Sequence, residues 1–245
     1  MNVYKTKNIS EILKNNEYAG RGIVIGTSPD KKFAVCAYFI MGRSQNSRNR
    51  VFVKNGETVK TEPFDASKLS DPSLIIYNAV RKTENSLIVT NGDQTDTAYN
   101  LMKSGNSFCE ALSTREFEPD FPNFTPRISG ILYFENGFRY DMSILKSIDE
   151  KGSDCCRYTY SYPSVGGLGH FIHTYNCNGD PLPAFTGEPH RVNIKDSIED
   201  FSNEIWTSLD TDNKISLYVR YTNIANGEYC DKIINKNGAE KNERI

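Results

Sequence analysis

Two Asn-Gly pairs constrain the architecture of this chain more than any other feature. Asn55-Gly56 lies within "NRVFVKNGETVKTEPF" and Asn136-Gly137 within "TPRISGILYFENGFRYDMSIL". Segments that alternate apolar and polar residues flank each pair. Tight hairpin turns need residues that tolerate positive φ, as Asn and Gly do, so each stretch predicts two antiparallel strands joined end to end. Further strands are predicted over 22–27, 33–41 and 86–90, in "CCRYTYSYP" and in "KISLYVRYTN". Helices are predicted over 10–14, 94–103, 106–114 and 198–209, with Gly105 as a stop. "DPSLIIYNAVR" reads as a helix or a buried segment, and the chain from roughly 232 to 245 as a frayed, solvated tail.

Strands joined by hairpins are antiparallel, and the strict strand-helix alternation of a parallel sheet is missing. The expected fold is therefore α+β: two antiparallel sheets packed together with helices outside, in a single domain over 1–245. A chain of 245 residues can bury such a core without disulfide staples. The six cysteines are scattered with no Cys-x-x-Cys, which predicts free thiols and no structural zinc. The polar start "MNVYKTKNISEILKNN" carries no apolar signal core, and runs such as "FAVCAYFIM" are too short to span a bilayer. A cytoplasmic location is expected.

Charge narrows the ligand. With 29 basic and 31 acidic residues, the net charge of -2 gives no reason to bind nucleic acid or a membrane. Yet "YFIMGRSQNSRNR" ends an apolar run in a loop carrying Arg43, Arg48 and Arg50, with Ser44 among its neutral donors and no carboxylate nearby in sequence. Guanidinium groups match phosphate bidentately, so this local cluster favours a small anionic ligand, although a solvated basic loop fits the composition equally.

Other segments carry candidates beside plainer readings. In "TNGDQTD", Asn91, Gly92 and Asp93 stand where a strand turns into a helix; backbone amides there can meet an anion, or the turn simply caps the helix. "EFEPDFPNFTPRISG" aims Glu118 and Asp120 from a proline-shaped loop and opens a strand at Arg127; a carboxylate with a raised pKa there could serve as acid or base. His170 and His173 in "GLGHFIHTY" follow several glycines, which favours a loop over a metal site. "FTGEPHR" could present backbone at Phe185 and the Thr186 hydroxyl to a ligand. No Walker loop, dinucleotide fingerprint or Gly-x-Ser-x-Gly elbow occurs.

Taken in order, "GRGIVIG", "YFIMGRSQNSRNR", "DPSLIIYNAVR", "LIVTNGDQTDT", "FTPRISGIL" and "LPAFTG" resemble the archaeal-type inosine monophosphate (IMP) cyclohydrolases. The matches cover most of 20–132 and a short segment near Ala184, while 135–181 matches poorly. The resemblance implies a four-layer α-β-β-α fold like that of N-terminal nucleophile hydrolases. It also implies closure of the purine ring of 5-formamidoimidazole-4-carboxamide ribotide to IMP and water, without metal or organic cofactor. Carried onto this sequence, it assigns Arg43 and Arg48 to the family's arginine loop, Tyr77, Asn91 and Arg127 to matching positions, and Glu118 or Asp120 to its acidic loop. Tyr77, Glu118, Asp120 and Arg127 are then the catalytic candidates, and Arg43, Ser44, Arg48, Arg50, Asn78, Asn91, Gly92, Asp93, Phe185 and Thr186 the substrate-binding ones, with Arg43 and Arg48 expected to clamp the phosphate. The partner implied is a purine ribonucleotide; homo-oligomerisation is left open. Residue 2 is Asn, not the Cys, Ser or Thr that amidases of this fold require. A purine-nucleotide-binding homologue without turnover and a purine-ribotide enzyme of other chemistry are the alternatives.

Overall fold

The computed structural model describes residues 4–238. After a short helix α1 (Ile9–Leu13), strands β1 (Arg21–Thr27) and β2 (Phe33–Met41) form a hairpin. A single turn of helix, α2 (Gln45–Arg48), leads into β3 (Arg50–Asn55) and β4 (Thr58–Pro63). Next come β5 (Asn78–Lys82), β6 (Ser86–Thr90), α3 (Gln94–Lys103), α4 (Phe108–Ser113), β7 (Arg127–Tyr133), β8 (Arg139–Ser147) and β9 (Cys155–Pro163). The chain closes with β10 (Leu168–His173), β11 (His190–Asn193), α5 (Ile198–Ser208), β12 (Lys214–Asn223) and β13 (Tyr229–Asn235).

The strands form two sheets, ordered β11-β10-β1-β2-β12-β13 and β3-β4-β5-β6-β7-β8-β9, and every pairing between named strands is antiparallel. This is the expected α+β sandwich. Successive side chains on a strand point to opposite faces, and β2 shows the consequence. Cys36, Tyr38 and Ile40 enter the core between the sheets, while Val35, Ala37, Phe39 and Met41 pack beneath α1 and α5. Both faces are buried, which is why "FAVCAYFIM" is an unbroken apolar run. On the other sheet, Ile88 and Ile131 face outward against Phe108, Ala111 and Leu112 of α4. At Gly130 of β7 the facing sheet leaves no room for a side chain, since a Cβ there would collide with Ile25 Cδ1 of β1.

The hairpins are where the Asn-Gly pairs predict them, with one shift of register. Asn55 pairs with Thr58, so the first turn is Gly56-Glu57, with Gly56 at φ 61°. In the second, Asn136 and Gly137 adopt φ of 58° and 96° in the loop between β7 and β8. Two expectations are corrected and an open one is decided. Of the two readings of "DPSLIIYNAVR", the buried segment holds at Tyr77, Ala79 and Val80, and the helix does not: hydrogen bonds from Ile75 and Ile76 to Pro72 make a turn, and β5 follows. The segment around His170 is strand β10, paired with β1 along its length, and not a loop. The tail does not fray at 232, because Tyr229–Asn235 pairs with β12; residues 239–245 lie outside the described residues.

Candidate active site

The start of β1, the loop after β2 and the loop before β7 meet at one end of the sandwich. There they enclose a cavity of about 220 Å³, with Tyr18, Arg21, Ser47, Arg50, Glu118 and Asp120 among its lining. Its centrepiece is an ion pair of 2.6 Å between Arg21 Nη2 and Glu118 Oε1, both buried. Burial drives the Glu118 carboxyl above its ordinary range, and Arg21 and then Arg127 pull it only part of the way back. Burial also works against the charge on Arg21, but Glu118, followed by Tyr175 and Tyr77, keeps its pKa well above the ordinary value. A carboxyl raised in this way gives and takes a proton more readily than a free one.

Asp120 stands beside the pair in a different setting. It accepts hydrogen bonds from the Thr125 amide at 2.6 Å and from the Thr125 hydroxyl, which in turn contacts Tyr175 Oη. Tyr175 stacks on Tyr18, whose ring faces the Arg43 guanidinium at 5.2 Å. Behind the cavity, Tyr77 Oη lies 2.7 Å from Tyr38 Oη.

The three arginines of the loop diverge. Ser44 caps α2 by accepting from the Ser47 amide at 3.1 Å, and one turn of helix fans the side chains that follow. Arg50 is buried on the cavity wall, donating to Ser47 O at 2.7 Å and Met41 O at 3.3 Å. Among the described residues it has no carboxylate partner. Arg43 bridges to Asn178 Oδ1 and Gly179 O, both at 2.8 Å. Arg48 points elsewhere, to Gly42 O at 3.0 Å and Asn213 Oδ1 at 2.9 Å.

Other candidates form a separate layer. Asn91 Nδ2 donates to Pro126 O, and its Oδ1 accepts from the Ile128 amide and Gln94 Nε2, so both ends of its side-chain amide are held by the protein. A Cβ on Gly92 would sit 2.6 Å from Arg127 Nη1. Arg127 turns to Asp93 at 2.7 Å and Gln94 at 2.8 Å. Burial lowers its pKa, while Glu118 and Asp93 oppose that effect. Burial would raise the pKa of Asp93, but Arg127 and Arg115 carry it below the usual carboxylate range. Asn78 donates to both oxygens of Asp96 at 3.0 Å. Phe185 is buried against His173 and His190, and Thr186 borders a groove of about 600 Å³ with Phe121 and Lys146. His170 and His173 lie on opposite faces of β10 by strand alternation, and no metal-binding cluster occurs among the described residues.

The cavity thus gathers Arg50, Glu118 and Asp120, with Tyr77 behind it and Arg43 reaching it through Tyr18. It leaves Ser44, Arg48, Asn78, Asn91, Gly92, Asp93, Arg127, Phe185 and Thr186 outside its lining. Sequence reasoning missed Tyr18, Arg21, Tyr38, Thr125 and Tyr175. Arg21 offered one signal, a charged residue opening the apolar strand of "GRGIVIG".

Comparison with known proteins gives a consistent relation. The model of a family described as "IMP cyclohydrolase-like protein" matches residues 18–228. A protein of Methanococcus aeolicus named IMP cyclohydrolase is 27% identical over 164 residues, covering 65% of this chain and 75% of that protein. Proteins of the same name from Haloarcula marismortui and Methanococcus maripaludis are each 34% identical, over 119 and 120 residues. These two alignments cover 47% of this chain and 54% and 58% of the relatives, so the similarity spans little more than half of their length.

Proposed function

The chain belongs to the IMP cyclohydrolase-like protein family, and on that premise we propose that it closes the purine ring of 5-formamidoimidazole-4-carboxamide ribotide, giving IMP and water. The observation that carries the reading is the buried Arg21–Glu118 pair on the wall of a cavity that Arg50 also lines. The carboxyl is suited to move protons, and the arginines are suited to a ribotide phosphate.

The chemistry is intramolecular. The carboxamide nitrogen attacks the formyl carbon, a C–N bond forms, and the carbonyl electron pair moves onto oxygen. That nitrogen gives up one proton and the oxygen gains one. The C–O bond then breaks as the formamido nitrogen loses its proton and a C=N bond forms; the oxygen takes that second proton and leaves as water. Two protons leave nitrogen and two reach oxygen, so the step balances without an oxidant or reductant. Holding the formyl group rotated toward the amide supplies much of the acceleration. Glu118 is the group we assign to proton transfer, with Asp120 as an acceptor for substrate N–H or O–H groups. Tyr77 donates to the oxygen as it gains charge. Arg50 and Arg43 hold the phosphate, and Arg48 braces their loop.

The same reading proposes one IMP cyclohydrolase-like domain over 1–245, with the fold of N-terminal nucleophile hydrolases and a cytoplasmic place of work. Two sheets with helices against both outer faces support that fold, and no helix among the described residues is long and apolar enough to cross a membrane. The test is to mix purified protein with the formylated ribotide and follow IMP by absorbance. Conversion above the buffer rate is expected; a rate equal to buffer, with the protein folded, overturns the proposal.

A further inference from the structure

The hydroxyl pair behind the cavity has a direction. Each phenol carries one hydrogen, so two hydroxyls sharing one hydrogen bond leave one hydrogen over. Tyr38 and Tyr77 share such a bond at 2.7 Å, and among the described residues neither hydroxyl has another hydrogen-bond partner. Tyr38 is fully sealed, at 0% exposure, whereas Tyr77 keeps 6%. The Tyr38 hydroxyl, packed beside Phe52 in the core between the sheets, has Tyr77 Oη as its partner, and either oxygen can be the donor. When Tyr38 donates, the surplus hydrogen is that of Tyr77, the less deeply buried ring of the two. Both rings lie within electrostatic reach of Arg21, whose Nε is buried without a partner. A tyrosyl O–H and a guanidinium N–H thus belong to groups that interact electrostatically, and Arg21 lines the cavity. Unmet buried donors are costly, and such sites are kept where a ligand oxygen completes them.

We propose that Tyr38 is a positioning residue: it donates to Tyr77 Oη, fixing the direction of the Tyr77 O–H and strengthening it as a donor to the oxygen expelled in ring closure. The inference rests on the ring-closure reading and goes beyond it by naming what orients Tyr77. A hydroxyl that accepts one hydrogen bond is a better donor of the next, because the two bonds polarise each other. Burial pushes the Tyr38 hydroxyl far above its ordinary pKa, which keeps it protonated in its donor role.

The test is a cycle of Tyr38→Phe, Tyr77→Phe and the double variant, with kcat, KM, IMP affinity and a melting curve for each. Tyr77→Phe should lower kcat by about 10²–10³, the scale of one oxyanion donor. Tyr38→Phe should lower it by about tenfold with KM and IMP affinity unchanged, and the double variant should match Tyr77→Phe alone. Wild-type kcat in Tyr38→Phe overturns the inference, as does a double variant about tenfold below Tyr77→Phe, since Tyr38 would then act independently. Should Tyr38→Phe not fold, 3-fluorotyrosine incorporated at position 38 keeps the shape and donates more strongly. Its kcat should hold or rise, and a fall overturns the inference. Absence of turnover in the wild type would instead overturn the ring-closure reading, and this inference with it.

Discussion

Replacing Arg21 by Met removes the countercharge from a carboxyl that is 2% exposed and paired at 2.6 Å. Breaking a buried pair from one side costs about 3–5 kcal/mol, because the charge left behind has lost both water and partner. Arg127 remains as the nearest relief and Asp120 opposes it, so Glu118 in the variant is worse off than in the wild type. It escapes by taking a proton, and burial already holds its pKa above the usual value. A folded-state pKa raised above the unfolded value leaves stability intact below about pH 4.3 and removes it as pH rises toward the folded pKa, at about 1.4 kcal/mol per pH unit. The deficit of Arg21→Met should therefore be smallest near pH 5 and grow with pH by at most about 1.4 kcal/mol per unit, to no more than about 4 kcal/mol by pH 8. Urea unfolding followed by the fluorescence of the single tryptophan, Trp206, measures it. Subtracting the wild-type stability at each pH removes the contributions of other titrating groups. An Arg21→Met, Glu118→Leu double variant should lose the pH slope. A deficit that does not change between about pH 5 and pH 8 would refute the reasoning.

Three further outcomes are expected. Burial lowers the pKa of His170 from 6.5 to about 4 and of His173 from 6.5 to about 3, so both are neutral in the folded chain. The unfolded chain takes up their protons first, and stability should fall as pH drops from about 6.5 toward 4, by about 1.4 kcal/mol per unit for each histidine; urea titrations of His170→Phe should show a shallower loss. Gly130→Ala drives a methyl group into Ile25 Cδ1 and to 3.2 Å from Val89 Cγ1; overpacking of this kind costs about 1–3 kcal/mol, a fall of roughly 2–12 °C in Tm, and Ile25→Val should recover part of it in a melting curve. Arg50→Met should weaken IMP binding about ten- to a hundredfold by calorimetry while leaving inosine, which lacks the phosphate, unaffected; an equal loss for both ligands would remove Arg50 from the phosphate site.

The parts of the fold legible in the sequence are those set by local rules. Strand β2, strand β6 and helix α3 fall at their expected residues because alternation, apolar runs and caps are local signals. Strand β10 was hidden because its glycines suggest a loop, whereas Gly169 pairs with Gly26 at a close backbone approach. β13 was hidden because it is a partly exposed edge strand whose core-packed residues, Ile233 and Ile234, are adjacent and do not alternate with polar ones. The site was legible only residue by residue. Glu118 and Asp120 were visible as an acidic loop, but the partner of Glu118 lies 97 residues away, and no spacing rule joins them. The arginines clustered in sequence separate in space, because a single helical turn sends Arg48 and Arg50 in different directions. Arg127 and Asn91 matched in sequence, yet Asn91 is engaged with Pro126 O and Arg127 with Asp93 and Gln94 at the start of α3.

We assign the proton transfers of ring closure to Glu118, held by Arg21 at the cavity wall. Glu118→Gln keeps the shape and a hydrogen-bond acceptor for Arg21 but cannot exchange a proton in this way. Single-turnover conversion of the formylated ribotide by wild type and Glu118→Gln, with IMP affinity measured on the same samples, tests the claim most directly. The variant is expected to bind IMP within a few-fold of wild type and to close the ring about 10²–10⁴ times more slowly. A Glu118→Gln protein that binds IMP and turns over at the wild-type rate would contradict it.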